Sequence, residues 1–240
     1  MSSRTAADRQ AIGRDDGPRA ALFLNGEYAA DSGFYRRLAG AADLLVAADG
    51  GAARLAALGL RPDVVVGDLD SLAGASLAAL RADGVRIVAH AVRKDETDAE
   101  LAVAEALGLG ARHLLICGAL GAGFDHALGN VALLRRLSAA GVDARLAAPA
   151  LTVLVLRARQ SLRLSAPPGS RFSLVPLTQR VVASLAGFEY ELDRAALRAD
   201  RCRGLGNTVR LGGARVSVHA GTAAVLIGAP EDAVVTVREE

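Results

Sequence analysis

Asp68 and Asp70 stand two residues apart in Val64-Val-Val-Gly-Asp-Leu-Asp-Ser-Leu72, directly after three β-branched residues. Such a run predicts a short strand buried inside a parallel sheet. In extended chain, residues two apart point to the same side. Both carboxylates therefore aim at one point just past the strand end. Convergent carboxylates on an apolar strand are costly unless a cation sits between them. Mg²⁺ suits that place: it seeks oxygen and is commonly held by one or two carboxylates plus substrate phosphates. A solvated Asp-rich turn is the plainer alternative for a DxD pair taken alone.

The elements around this stretch decide between the two. Strands are expected at Ala20–Asn25, Leu44–Ala48, Val64–Gly67, Val85–Ala91, His113–Cys117 and Ala144–Ala148. Helices are expected between them, at Phe34–Ala39, Ala52–Leu58, Ala73–Ala82, Thr97–Leu107 and from Asp125 to near Gly141. Thr97 and Glu100 have the spacing of a capping box. Regular alternation of this kind predicts a parallel sheet flanked by helices. Its ligands bind outside the carboxyl ends of the strands. Four strand ends there carry similar loops: Asp49-Gly50-Gly51, Gly67 to Ser71, Lys94 to Asp98, and Gly118 through Gly121 and Gly123 to Asp125-His126. One crevice would then gather Asp49, Asp68, Asp70, Asp98 and Asp125, several glycines and Lys94, the sole lysine in the chain. A compact ammonium kept in so arginine-rich a sequence hints at a phosphate contact. Glycines let backbone N–H groups approach phosphate, and helix N-termini favour anions. The combination suggests a Mg–nucleotide site without a P-loop, since no GxxxxGK[ST] occurs. Each piece has a structural alternative: Asp49-Gly-Gly as a tight turn, Asp98 as a helix-dipole partner, Asp125 as an N-cap, His126 as a surface histidine.

After about Ala150 the pattern changes to short alternating runs at 152–157, 161–165, 171–175, 216–219 and 223–227, with Gly and Pro between them. This predicts an antiparallel sandwich or barrel. The expected organisation is a flexible arm over 1–19, an α/β domain over 20–150 and a β-domain over 151–240. A net charge of +2 argues against a dedicated nucleic-acid surface, and five Phe, three Tyr and no Trp supply few stacking platforms. No apolar run reaches a membrane span's length. Cys117 and Cys202 suit free thiols in a cytoplasmic protein.

The ordered motifs D-G-G (Asp49–Gly51), P-D-x-x-x-G-D-x-D-S (Pro62–Ser71), K-D-x-T-D (Lys94–Asp98) and G-x-x-G-x-x-x-D-H-x-x-x-N (Gly118–Asn130) resemble the thiamine pyrophosphokinase family. The resemblance implies transfer of the pyrophosphoryl group of ATP to the hydroxyethyl oxygen of thiamine, giving thiamine diphosphate and AMP. It implies Mg²⁺ on Asp68 and Asp70. Asp98 would bind metal or orient and deprotonate the alcohol. Asp49 and Asp125 would complete the acidic site, and Lys94 and Ser71 would contact phosphates. Gly50, Gly51, Thr97, Gly121 and His126 fall in the nucleotide loops. The family is a homodimer, with thiamine between one subunit's α/β domain and the other's β-domain. Gly187-Phe-Glu-Tyr-Glu-Leu192 resembles its segment beside the vitamin, with Tyr190 offering a ring to the cation. Asn207 falls in a second C-terminal motif, which in the family reads Ser-Asn and here Gly206-Asn207. A second departure is Gly123, where the family usually has Arg. The rivals are a related diphosphokinase acting on another alcohol such as a hydroxymethylpterin, a DxD phosphatase with Asp68 as nucleophile, and a non-catalytic nucleotide- or thiamine-binding homologue.

Overall fold

The structure, a computed structural model, describes residues 17–69, 74–91, 95–121, 123–210, 212–228 and 233–239. Asp70, Ser71, Lys94 and most of the expected N-terminal arm lie outside the described residues; Arg19, placed in that arm, instead opens the first strand. The chain divides into two compact units. The first runs to Leu133 and takes up Val142–Ala148; the second holds Leu134–Gly141 and the chain from Pro149 onward.

In the first unit strands and helices alternate: β1 (Arg19–Phe23), α1 (Ser32–Ala41), β2 (Leu44–Ala48), α2 (Gly51–Ala57), β3 (Val64–Gly67), α3 (Gly74–Ala82), β4 (Arg86–Ala89), α4 (Asp98–Gly108), β5 (His113–Cys117), α5 (Phe124–Ala139) and β6 (Asp143–Ala148). Adjacent pairs are parallel, in the order β6-β5-β1-β2-β3-β4. Successive strands add on one side from β1 to β4, then the chain crosses back to β5 beside β1. Loops leaving β1 and β5 consequently part in opposite directions, which opens a crevice at the carboxyl edge. Burial on both faces explains the unbroken apolar strands: Ala21, Phe23, Leu45, Ala47 and Val65 share a core with Tyr35 and Ala39 of α1 and Leu55 of α2. On the other face α4 lies against β2 and β3, with Ala102, Val103 and Ala106 buried. The expected capping box is present: the Glu100 N–H donates to Thr97 Oγ1 at 3.2 Å and the Thr97 N–H to Glu100 Oε2 at 3.0 Å.

The second unit is antiparallel. Strands β7 (Leu151–Arg157), β9 (Arg171–Pro176), β12 (Asn207–Thr208) and β14 (Thr222–Ile227) run in the order β12-β9-β14-β7. The facing sheet is β11-β10-β13-β8-β15, built from β8 (Gln160–Ser165), β10 (Arg180–Ala186), β11 (Leu192–Arg198), β13 (Gly213–Ala220) and β15 (Val234–Glu239). Leu154, Leu156, Phe172 and Val225 of one sheet share a single core with Leu162, Leu164, Val181 and Val216 of the other. The fold is thus a mostly parallel α/β sheet with helices, plus a C-terminal β-sandwich, as the residue pattern predicts.

Candidate active site

Asp49 leaves β2 with φ +44, is only 5% exposed, and donates its N–H to Val66 O of β3 at 2.9 Å. Its Oδ1 accepts the Leu69 N–H at 3.2 Å, and Leu69 itself sits at φ +65. Non-glycine residues in this region store strain that the surrounding structure must hold. Here the strain turns one loop's amide onto the next loop's carboxylate. Between them lies Gly67, at φ +145, where a Cβ would coincide with Asp49 Oδ1. Only glycine admits both the backbone angle and the carboxylate.

Asp98, opening α4, is hydrogen-bonded to the Asp49 carboxyl, and the charge of Asp68 also reaches it. Burial first, then the Asp98 hydrogen bond, push the Asp49 carboxyl up to about 6; the Leu69 N–H pulls it back, and the charges of Asp98 and Asp68 push it further up. Two carboxyl groups can share a hydrogen bond only with a proton between them. The edge therefore holds more negative charge than it can keep ionised alone. That is a site which gains from a cation. The donors are hard oxygens from three separate loops, which fits Mg²⁺. Among the described residues no group of three His, Cys, Asp or Glu side chains forms a ready-made metal cage. Mg²⁺ does not require one, because waters and phosphates commonly fill most of its positions.

The other residues singled out from sequence fall as follows. Gly50 and Gly51 carry the chain from Asp49 into α2, with Gly51 packed on Phe23 O of β1. The Thr97 hydroxyl is engaged with Glu100 in the capping box. Gly121, at φ +98, packs against the Glu27 side chain. Asp125 does not begin α5 as an N-cap, because the helix starts one residue earlier, at Phe124. Its exposed carboxylate accepts the His126 N–H at 2.9 Å and is not among the groups acting on Asp49. The structure thus brings Asp49, Asp68 and Asp98 together and leaves Asp125 apart from them. His126 is exposed. Two motif positions are structural: Asp63 Oδ2 accepts the Leu45 N–H at 2.7 Å, and Asn130 Nδ2 donates to Ala119 O at 2.9 Å, tying α5 to the glycine loop. At Gly123 a Cβ would stand 2.6 Å from Asp125 Oδ1, so the missing side chain leaves room for that carboxylate.

Sequence reasoning overlooked the loop after β1. Asn25 packs over Gly50, Glu27 against Gly121, and Tyr28 against Gly118. The Tyr28 hydroxyl lies 2.8 Å from Leu24 O and 3.3 Å from Cys117 O, bridging the ends of β1 and β5. The Asn-Gly pair marked a turn, but only the strand order puts that turn at the centre of the crevice.

In the second unit, a cavity of about 460 Å³ is lined by Leu185, Glu189, Tyr190, Glu191, Leu192, Arg203 and Leu205, with Gly204 and Asn207. Tyr190 is 70% exposed there. Asn207 is buried and its amide is spent on the backbone. Its Oδ1 accepts the N–H groups of Tyr190 at 3.0 Å and Thr208 at 2.9 Å, and its Nδ2 donates to Tyr190 O at 2.8 Å. Asn207 therefore fixes the tyrosine loop. Gly206 beside it has φ +69, which explains glycine at that position.

Residues 35–146 match the family model described as thiamin pyrophosphokinase, catalytic domain. No curated protein matches the chain in sequence. Solved structures similar to it include the thiamine pyrophosphokinase of Bacillus subtilis, at 22% identity over 88% of this chain and 99% of that one, with TM-score 0.76. The Geobacillus thermodenitrificans enzyme is similar at 23% identity over 88% and 98%, with TM-score 0.72. The Candida albicans enzyme is similar at 15% identity over 93% and 96%, with TM-score 0.76. At these identities the structures show a shared fold along nearly the whole chain. With the match over residues 35–146, this places the chain in the thiamin pyrophosphokinase family, as its motifs imply.

Proposed function

We propose that the protein transfers the pyrophosphoryl group of ATP to the hydroxyethyl oxygen of thiamine, yielding thiamine diphosphate and AMP. What carries this reading is the meeting of Asp49, Asp68 and Asp98 from three loops at the carboxyl edge of the α/β sheet. The alcohol oxygen attacks the β-phosphorus in line, the bond from that phosphorus to the oxygen of the α-phosphate breaks, and AMP leaves. Asp98 orients the alcohol and takes its proton late, because a free alcohol is a weak acid. Mg²⁺ on Asp68 and Asp70 supplies charge neutralisation at the phosphate oxygens, the main requirement of such a transfer. Lys94, Ser71 and the glycine loops at Gly50, Gly51 and Gly121 cradle the polyphosphate. Tyr190 offers its face to the cationic vitamin, Glu189 and Glu191 add opposite charge around it, and Asn207 holds the loop. The working form is a homodimer, in which the acceptor pocket of one subunit serves the nucleotide site of the other. Free thiols at Cys117 and Cys202 fit a cytoplasmic setting.

Incubation with ATP, Mg²⁺ and thiamine, followed by product masses, tests the reading. Thiamine diphosphate and AMP are expected together, and Asp70→Asn should cut AMP release roughly a hundredfold or more without unfolding the protein. AMP formed only with a different alcohol, or nucleotide binding with no AMP, would overturn it. Full activity in the Asp70 variant would remove the metal assignment.

A further inference from the structure

Arg54 lies on α2, one turn beyond Asp49-Gly50-Gly51, and is exposed. Its guanidinium stands 5.1 Å from the centre of the Tyr28 ring. Among the described residues that ring is its one side-chain partner, and no carboxylate pairs with it. An unpaired arginine on a surface usually samples many rotamers. This one is stacked on a ring that is itself fixed: the Tyr28 hydroxyl reaches the carbonyls of Leu24 and Cys117, and the ring packs on Phe23 and Tyr35 with centroids 6.2 and 5.1 Å away. Stacking occupies a guanidinium's face and leaves its N–H edge directed outward, the edge that grips phosphate in a fork.

The place matters as much as the group. Tyr28 bridges β1 and β5, where the sheet's loops part. Asp68 and Asp98 stand at the ends of β3 and β4. Two strand spacings, about 10 Å, separate the ends of β1 and β3. A triphosphate with its metal on the acidic side can bridge that distance, and its far end then arrives at Arg54. We infer that Arg54, steadied by Tyr28, binds the α-phosphate of the nucleotide, the phosphate that departs with AMP. The inference rests on the nucleotide reading given above. It makes Arg54 a substrate-binding residue and Tyr28 its positioning residue.

Calorimetry on the full chain with AMP, with adenosine and with Mg²⁺–α,β-methylene-ATP tests it. The wild-type protein should bind AMP more tightly than adenosine. Arg54→Ala should weaken AMP and the ATP analogue roughly ten- to a hundredfold while leaving adenosine unchanged. Arg54→Lys, which keeps the charge and loses the fork, should fall between. Tyr28→Phe keeps the ring and should lower the melting temperature more than the AMP affinity. In turnover, kcat/KM for ATP should fall in Arg54→Ala with KM for thiamine unaltered. Unchanged AMP affinity in Arg54→Ala, with or without a lower melting temperature, overturns the inference and leaves the proposed reaction standing. A wild-type protein that binds neither AMP nor the analogue sinks both.

Discussion

Replacing Asp49 by Asn should stabilise the protein and abolish its activity, and the size of the gain follows from the site. The Asp49 carboxyl is raised from 3.8 to about 6, mainly because it is buried and hydrogen-bonded to Asp98. A tenfold change in proton affinity corresponds to about 1.4 kcal/mol, so ionising this group in the folded state costs about 3 kcal/mol. Sharing the proton with Asp98 lowers the net figure to about 2 kcal/mol. The sign is fixed by linkage. The folded pKa lies above the unfolded one, so between about pH 4 and 6 the native state binds more protons. Stability from this group is full below that window, falls as pH rises through it, and stays low above it. Asparagine keeps the Oδ1 acceptor for Leu69 N–H, offers an N–H to Asp98, and tolerates the φ of +44. At pH 8 Asp49→Asn should therefore be about 2 kcal/mol more stable, a rise of roughly 4–8 °C in melting temperature. The difference from wild type should shrink to near zero by pH 4. Urea denaturation at half-unit pH steps measures it, and the difference curve cancels the other carboxylates. Equal or lower stability of the variant at pH 8, or a difference that does not depend on pH, would refute the account of the acidic edge.

Two further outcomes can be measured on the same protein. Gly67→Ala forces a Cβ onto Asp49 Oδ1 at a φ of +145, so it should lose about 1–3 kcal/mol in denaturant unfolding and displace Asp49, with ATP turnover falling too. Asn207→Ala removes three hydrogen bonds that fix Tyr190 and Thr208. It should cost about 2–3 kcal/mol of stability and raise KM for thiamine while KM for ATP stays unchanged.

The acidic edge was legible in the sequence because alternation of strand and helix forces every strand-to-helix loop to one side of a parallel sheet. Asp49, Asp68 and Asp98 follow from that rule without any knowledge of strand order. Strand order is what the rule omits. β1 lies between β5 and β2, so its Asn25–Tyr28 loop faces Gly50, Gly118 and Gly121, yet Asn-Gly followed by Glu-Tyr reads locally as a turn and nothing more. Asp125 shows the converse. It sits in the right loop, but its exposed carboxylate caps its neighbour's N–H rather than joining the shared proton.

The same division between local and distant information explains the second unit. Runs such as Thr152–Arg157 and Ala223–Ile227 alternate and contain β-branched residues, and both became strands. Strand β11 has the sequence Leu-Asp-Arg-Ala-Ala-Leu-Arg, which favours helix by propensity. It is a strand because β10 presents it with a ladder of unpaired backbone groups, pairing Val181 with Leu197 and Ala183 with Ala195. It tolerates charged residues because it lies at the sheet edge, where they also discourage pairing with another chain. Tyr190 depends on this pairing. Its segment runs between β10 and β11, the Glu189 N–H donates to Thr208 O, and Asn207 anchors Tyr190 from β12, a strand of only two residues. An aromatic ring held out by contacts this distant in sequence marks a binding surface only once the sheet that carries it has formed.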